Sequence, residues 1–422
     1  MTPVPRTSLP EAEGRRGRTG VGGLALLAAL LLAAPAAAAR PAACEADDGG
    51  LELAEGWCAG VFARELGAVR NLAVAPDGTL YLARKDADEP AGLALRDADG
   101  NGRAEQEASF GPPGPAHDVL VEEGRVWLAY DRRILRFSRG AGALAPEGQG
   151  EVVVQGLPEQ AQHARKAIAL REGHLFVNIG APSNACQKEM RTPRSPGVDP
   201  CPQLERHAGI WRFDAEAKAQ SQADGARFVT GIRHVLALAV HPANGQLWGV
   251  MNGRDQLHSL WDFPVEKNAK LPAEEMLALD EGDDFGWPYC YHDGLAGKKV
   301  LAPEYGGDGE RVGRCAQAEA PALAFPAHWA PMDLAFAGPE VALVAFRGSW
   351  NRAPLPQEGY RVTRVALDEG RPTGSFSTFA IGAASRTGLR FTGVAVGPDG
   401  AIYAAAENVG RVWRIVSTGE AR

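Results

Sequence analysis

Four features are missing from this 422-residue chain, and each absence removes a class of function. There is no basic stripe interleaved with aromatics: 44 Lys and Arg stand against 52 Asp and Glu, for a formal net charge of −8. That balance argues against a nucleic acid or an anionic membrane surface as partner. There is no CxxCH, so a fused c-type haem is excluded. There is no linker of the kind that a pair of β-sandwiches would need between them. The apolar stretch at residues 21–32 is too short and too Ala-rich for a persuasive spanning helix.

That stretch follows Arg15, Arg16 and Arg18 and runs into Ala37, Ala38 and Ala39, the layout of a secretory signal. The expectation is a signal peptide at residues 1–39 and a single mature domain at 40–422, periplasmic or secreted, with no stable membrane insertion once the signal is removed. The Arg15–Arg16 pair hints at a twin-arginine export route. Without residues 1–39, 40 basic and 50 acidic side chains leave a charge of −10. The six cysteines fall as near neighbours, Cys44 with Cys58, Cys186 with Cys201 and Cys290 with Cys315. In an exported chain this spacing leads us to expect three local disulfides, although sequence alone permits fifteen pairings. Each would stabilise by about 3 kcal/mol on the chain-entropy model.

What the chain does have is a repeat. Its copies are LAVAPDGTLYLA at Leu72, DVLVEEGRVWLA at Asp118, AIALREGHLFVN at Ala167, LALAVHPANGQLWGV at Leu236, DLAFAGPEVALVAF at Asp333 and GVAVGPDGAIYAA at Gly393. Each copy is an alternating apolar strand, a tight turn carrying Gly or Pro, and a second alternating strand. A lone hairpin cannot cover the apolar face that alternation creates, so the copies must stack. Third segments follow several copies, at Ile134, Ile210, Tyr360 and Arg411. The expectation is an all-β, six-bladed β-propeller with loop insertions after blades three and four. Trp127, Trp211, Trp248 and Trp413 fall within repeat strands and read as core between blades, whereas Trp287 and Trp329 lie in insertions and are candidates to stack on a ligand ring.

From Asn252 the chain reads NGRDQLHSLWDFPVEKNAKLPAEEMLALDEGDDFGWPYCYHD, followed by LAPEYGGDG, FPAHWAP, GSWNRAP and GVAVGPDGAIY. These segments resemble the soluble sorbosone and aldose dehydrogenase family. The resemblance implies a propeller that holds pyrroloquinoline quinone (PQQ) and calcium on its axis, oxidises the anomeric hydroxyl of a small-molecule sugar and passes electrons to a separate acceptor. It places a proton-accepting His at His163, for which an imidazole is suited by its near-neutral pKa. It places at Arg233 a cation that stabilises charge on the quinone oxygen. Arg390 would pair with a cofactor carboxylate, and the backbone carbonyls of Gly253 and Arg254 would bind calcium as hard oxygen ligands.

The chain departs from the family pattern in the same pocket. His234 replaces an Asn and Ala237 a Gly, Arg347 stands where a His or Lys approaches the cofactor, and Met332, Asp333, Leu389, Phe391 and Thr392 also differ. These changes leave three readings open: a PQQ-dependent sugar dehydrogenase, a cofactor-free propeller acting as a binding or scaffold module, and a calcium-dependent lactonase using Asn252, Asp255 and Asp333. Independently, DADGNG presents Asp97, Asp99 and Asn101 at alternate positions before a Gly, a candidate second calcium loop that lacks the usual closing Glu. The acidic residues Glu274, Glu275, Asp283 and Asp284 are equally compatible with solvated loop charge.

Overall fold

Each of the six repeats forms the two innermost strands of an antiparallel blade. The computed structural model describes residues 43–419 except 87, 123 and 385–387, so the expected export signal lies outside the described residues. The innermost strands are Val69–Val74, Ala116–Glu122, Ile168–Arg171, Val235–Val240, Pro331–Phe336 and Phe391–Val396. Each pairs outward with its hairpin partner and then with a third and a fourth strand, and Leu51–Leu53 adds a fifth to blade five. The third segments read from sequence are third strands: Ile134–Ser138, Gly209–Asp214, Tyr360–Asp368 and Arg411–Ser417. The ring closes because Trp57–Ala63, near the start of the described chain, pairs with Arg411–Ser417 as the outermost strand of blade six. This is the expected six-bladed propeller.

The apolar cores lie between the blades. Six buried clusters each draw on two neighbouring blades, from the blade 1–2 cluster with Tyr81, Val119 and Leu128 to the blade 6–1 cluster with Leu72, Leu82 and Tyr403. Trp127, Trp211, Trp248 and Trp413 are buried in them as expected. Trp287 and Trp329 are buried too, at 4% and 5% exposure, which corrects their assignment as ring platforms. Trp287 packs on the Cys186–Cys201 disulfide and donates to the Asn184 carbonyl, and Trp329 packs against Phe346 and Phe376 between blades four and five.

All three expected disulfides are present, Cys44–Cys58, Cys186–Cys201 and Cys290–Cys315. The insertions, however, interrupt blades three and four and do not follow them. One, residues 180–208, lies between strands His174–Ile179 and Gly209–Asp214. Two more, residues 252–273 and 280–322, flank strand Glu274–Leu279. Two buried ion pairs pin the blade-four insertions, Arg254 with Glu304, and Lys299 with Glu275 at 2.6 Å. Glu275 is thus no solvated loop charge. Among the described residues no helix is long and apolar enough to cross a membrane.

Five of the six innermost strands are bulged near their start, at Val69/Leu72, Ala116/Asp118, Val235/Ala237, Pro331/Asp333 and Phe391/Gly393. A bulge re-aims the side chains beside it, here at the axis. Asp118 and Asp333 take the same position after the bulge in blades two and five, which face each other across the ring. Asp118 accepts the N–H groups of Val119 and, from blade three, Ile168 at 2.8 Å. Asp333 accepts those of Leu334 and, from blade six, Val394 at 2.9 Å, and blade one's Asn71 amide at 3.0 Å. Five blades are therefore tied at the axis by two carboxyl groups.

Burial raises the Asp118 carboxyl to about 7, the bonds from Ile168, Val119 and Asn71 notwithstanding. Burial, and then the like charge of Asp118, hold Asp333 well above the usual carboxylate range. A carboxyl raised on folding contributes stability that is present below its unfolded pKa and lost as pH rises through its folded value. Asp333→Asn removes one of the two charges, so the melting temperature of the variant should fall less than that of the wild type between pH 5 and 9, measured by calorimetry. Parallel curves would remove the pair from the stability account.

Candidate active site at the axial mouth

Two repeat positions converge at the end of the axis where the innermost strands begin: residues at or just before the bulge, and residues at or just after the end of the second strand. The first position supplies Arg70, His117, Arg233 and His234; the second supplies Asp131, Asn252, Arg347 and Glu407. The insertion of blade three adds Asn184 and Arg191, and that of blade four adds Gly253 to Asp255.

His163 sits in the loop entering blade three with a left-handed backbone, φ +54°. The Gln160 amide holds this loop by donating to the carbonyls of Gln162, His163 and Gly180. The His163 ring is 2.6 Å through Nδ1 from the Ala181 carbonyl, which requires Nδ1–H and leaves the Nε2 lone pair free. Burial, followed by the charge of Arg233 and the proximity of His234, holds its pKa well below 6.5, so the ring is neutral. The His234 ring packs beside it, centroids 4.9 Å apart. Gly180 makes the room: a Cβ there would lie 2.7 Å from His234 Nδ1 and 2.8 Å from His163 Cβ.

Arg233 is buried and nearly saturated. It donates to Gly253 O at 2.7 Å, to Asn184 Oδ1 at 3.0 Å and to Asp255 Oδ2 at 2.8 Å. Burial would raise Asp255, but Arg233, His328 and Arg191 outweigh it and hold the carboxyl below its usual range. Glu274 accepts the N–H groups of Gly253 and Ala330, and burial nonetheless raises it to about 7. The Gly253 carbonyl that the resemblance gives to calcium thus also receives a guanidinium, and the Arg254 side chain turns to Glu304. The lactonase set does not converge: Asn252 donates to Pro331 O, Asp255 pairs with Arg233 and Arg191, and Asp333 lies in the axial tie.

On the other side of the mouth Arg347 and Arg70 share Glu407, the latter at 3.1 Å. Burial, opposed by Glu407 and reinforced by Arg347 and Arg165, brings the Arg70 guanidinium down to about 10. Arg165 pairs with Asp131. Three arginines and the buried Lys166 therefore face two acids, a cationic wall. Arg390 does not join it: it is exposed, and its backbone N–H donates to Asn408. Two polar groups in the wall are unsatisfied. Arg70 Nε has no hydrogen-bond partner, and neither ring nitrogen of buried His117 makes a well-formed bond, although the Met332 backbone lies beside it.

Arg70, His117, Glu407, Asp131 and Asn184 escaped the sequence reading. Glu407 and Asp131 occupy the repeat position of Arg347, and His117 that of Met332, so aligning the five bulged copies on their bulges would have found them. Asn184 had no such signal, lying in an insertion. Elsewhere, Asp97 and Asp99 are brought together with Glu105, the nearby acid that the sequence reading lacked, their ligand oxygens within 4.8 Å. Asn101 instead donates its amide to Glu105, and Asp97 is occupied by the backbone N–H groups of Gly100, Asn101 and Gly102.

The model of the TrAA12-like family matches residues 51–418. The chain belongs to that family. No curated protein matches it. Among solved structures it is similar to the AA12 enzyme of Trichoderma reesei in an iodide structure, at 17% identity and TM-score 0.74, covering 90% of this chain and 99% of that one. It is also similar to the holo PQQ domain of a pyranose dehydrogenase from Coprinopsis cinerea, at 18% identity and TM-score 0.72, covering 86% and 96%. A PQQ-bound aldose sugar dehydrogenase from Streptomyces coelicolor follows at 16% identity and TM-score 0.56, covering 89% and 99%. At these identities the structural likeness establishes the fold. The family membership agrees with the resemblance to PQQ-dependent sugar dehydrogenases carried by the motifs.

Gly180→Ala should leave the fold intact but force the two imidazoles apart. We expect catalytic turnover to fall at least about tenfold, with a melting temperature only a few degrees lower. Unchanged turnover would show that the spacing of the imidazoles is irrelevant.

Proposed function

We propose that this protein is an exported quinoprotein that oxidises the anomeric hydroxyl of an aldose, or a related hydroxyl or aldehyde, and hands the electrons to a separate acceptor. The observation that carries the reading is a neutral imidazole with a free Nε2, His163, beside Arg233 and the cationic wall. The similar structures support it: one is the holo PQQ domain of a pyranose dehydrogenase, another an aldose sugar dehydrogenase with PQQ bound. Export is supported by the three disulfides, which belong to oxidising compartments.

The residues fit the cofactor. PQQ is a planar polycarboxylate, and the unsatisfied Nε–H of Arg70, the single N–H of the neutral His117 ring and the excess of guanidinium offer what such an anion needs. Arg70, Arg347 and Arg233 would hold it, His234 would border it, and Arg390 lies at the exposed rim. For calcium, the carbonyls of Gly253 and Arg254 with the carboxylates of Asp255 and Glu274 behind them are the hard oxygen donors that the ion prefers. When bound, PQQ supplies an ortho-quinone that takes up a hydride.

The chain's own contribution is acid–base and electrostatic. His163 Nε2 receives the proton of the substrate hydroxyl as the carbon gives up its hydride, so that the carbinol loses one proton and one hydride and becomes a carbonyl. Nδ1–H stays on the Ala181 carbonyl and keeps the ring in place. Arg233, held by Asn184 and Asp255, presents fixed positive charge where an oxyanion develops, at no cost in reorganisation.

Purified mature protein mixed with PQQ and calcium should develop quinone absorbance and reduce a dye with an aldose; no uptake and no reduction would leave the scaffold reading. His163→Ala should cost about 10²–10⁴ in turnover with quinone affinity changed only a few-fold. Because burial depresses the pKa of His163, the acid limb of its kcat/KM profile should lie below pH 6.5. A limb above that value would assign the base elsewhere.

A further inference from the structure

The second imidazole, placed at the border of the cofactor, has a donor of its own to offer. His234 stands where the resembling family has Asn, and its ring lies 4.9 Å from that of His163 at 36°. Its protonation is determined by a chain of hydrogen bonds. Asn178, fully buried on the second strand of blade three, accepts the Val235 N–H through Oδ1 at 3.3 Å. Its Nδ2 therefore faces His234 Nδ1, at 3.4 Å, as a donor. Nδ1 must then be the acceptor, and a neutral ring carries its proton on Nε2. His163 is arranged the other way, with its proton on Nδ1 and a free Nε2.

From this juxtaposition we infer that His234 donates Nε2–H to a second oxygen on the carbon that His163 helps to oxidise, which selects a carbon bearing two oxygens: the cyclic hemiacetal of an aldose, with its ring oxygen beside the anomeric hydroxyl. The inference rests on the oxidoreductase reading. Base and donor lie side by side, so a substrate needs a hydroxyl to surrender and an adjoining oxygen to accept. A simple carbinol offers only the first. Both rings are neutral for one reason. Burial depresses each, and Arg233 adds to it for both, with Lys166 and Arg165 adding further at His234. A protonated His234 would have lost the acceptor that Asn178 requires. Gly180 is the residue that permits the pairing, since a Cβ there would strike the His234 ring at Nδ1 and the His163 Cβ and backbone carbonyl.

The test has two arms. In protein free of cofactor, long-range ¹⁵N–¹H NMR should find His234 protonated at Nε2 and His163 at Nδ1; His234 protonated at Nδ1 overturns the inference. In the reconstituted enzyme two inhibitors separate the contacts: a 1,5-anhydroalditol, which keeps the ring oxygen and lacks the anomeric hydroxyl, and the carbocyclic analogue, which keeps the hydroxyl and lacks the ring oxygen. His234→Leu should weaken the anhydroalditol about tenfold, the worth of one hydrogen bond, and the carbocycle less than threefold. His234→Gln, which restores an N–H donor, should recover most of the loss. Equal weakening of both inhibitors, or no recovery with Gln, overturns the inference and leaves His234 a packing residue. Failure to take up PQQ, with the two tautomers as expected, would instead count against the oxidoreductase reading.

Discussion

The structure depends on closing a ring. Six blades that bury their apolar faces only against neighbours have no shared core, so removing any one interface exposes two. Closure is made at two radii. Outside, Trp57–Ala63 completes the sheet of blade six. At the axis, Asp118 and Asp333 reach from opposite blades and collect backbone N–H groups from blades three and six, with Asn71 joining from blade one. Burying two carboxyl groups this close is unfavourable for their charge, and both are displaced upward in pKa. What the arrangement contributes is direction: the bulged strand starts are held so that their side chains meet at the mouth.

That mouth works by a division of charge. Each guanidinium at the mouth has an acid beside it, Asp255 for the nearly saturated Arg233 and a shared Glu407 for Arg70 and Arg347. The excess of cations over acids in the wall, together with the unsatisfied nitrogens of Arg70 and His117, suits an anionic guest. The same burial keeps His163 and His234 uncharged, so that one fold places both cations and neutral imidazoles at one end of the axis.

Much of this was legible in the chain itself. Alternation and turn spacing gave the blades, because hairpins have a local signature, and near-neighbour cysteines gave the disulfides because each closes a short loop. His163 and Arg233 were legible only through motif resemblance. The residues that position them were not: Asn184, Asn178 and Gly180 lie in an insertion or on a strand whose orientation emerges only from packing. Trp287 and Trp329 misled for the same reason, since residence in a loop, an insertion for Trp287 and the connection between blades four and five for Trp329, does not distinguish an exposed ring from one folded under a disulfide or between blades. Arg390 kept its place in the chain and still faces outward, because its loop is held through Asn408 at the backbone.

A crystal structure of the protein grown with PQQ and calcium tests the central claim most directly. The account requires the quinone to lie over the axis at the end where the innermost strands begin, with carboxylates on Arg70 and Arg347 and its reactive edge between Arg233 and His163. A cofactor bound elsewhere, or a mouth closed by the side chains around His117 and His234, would contradict it.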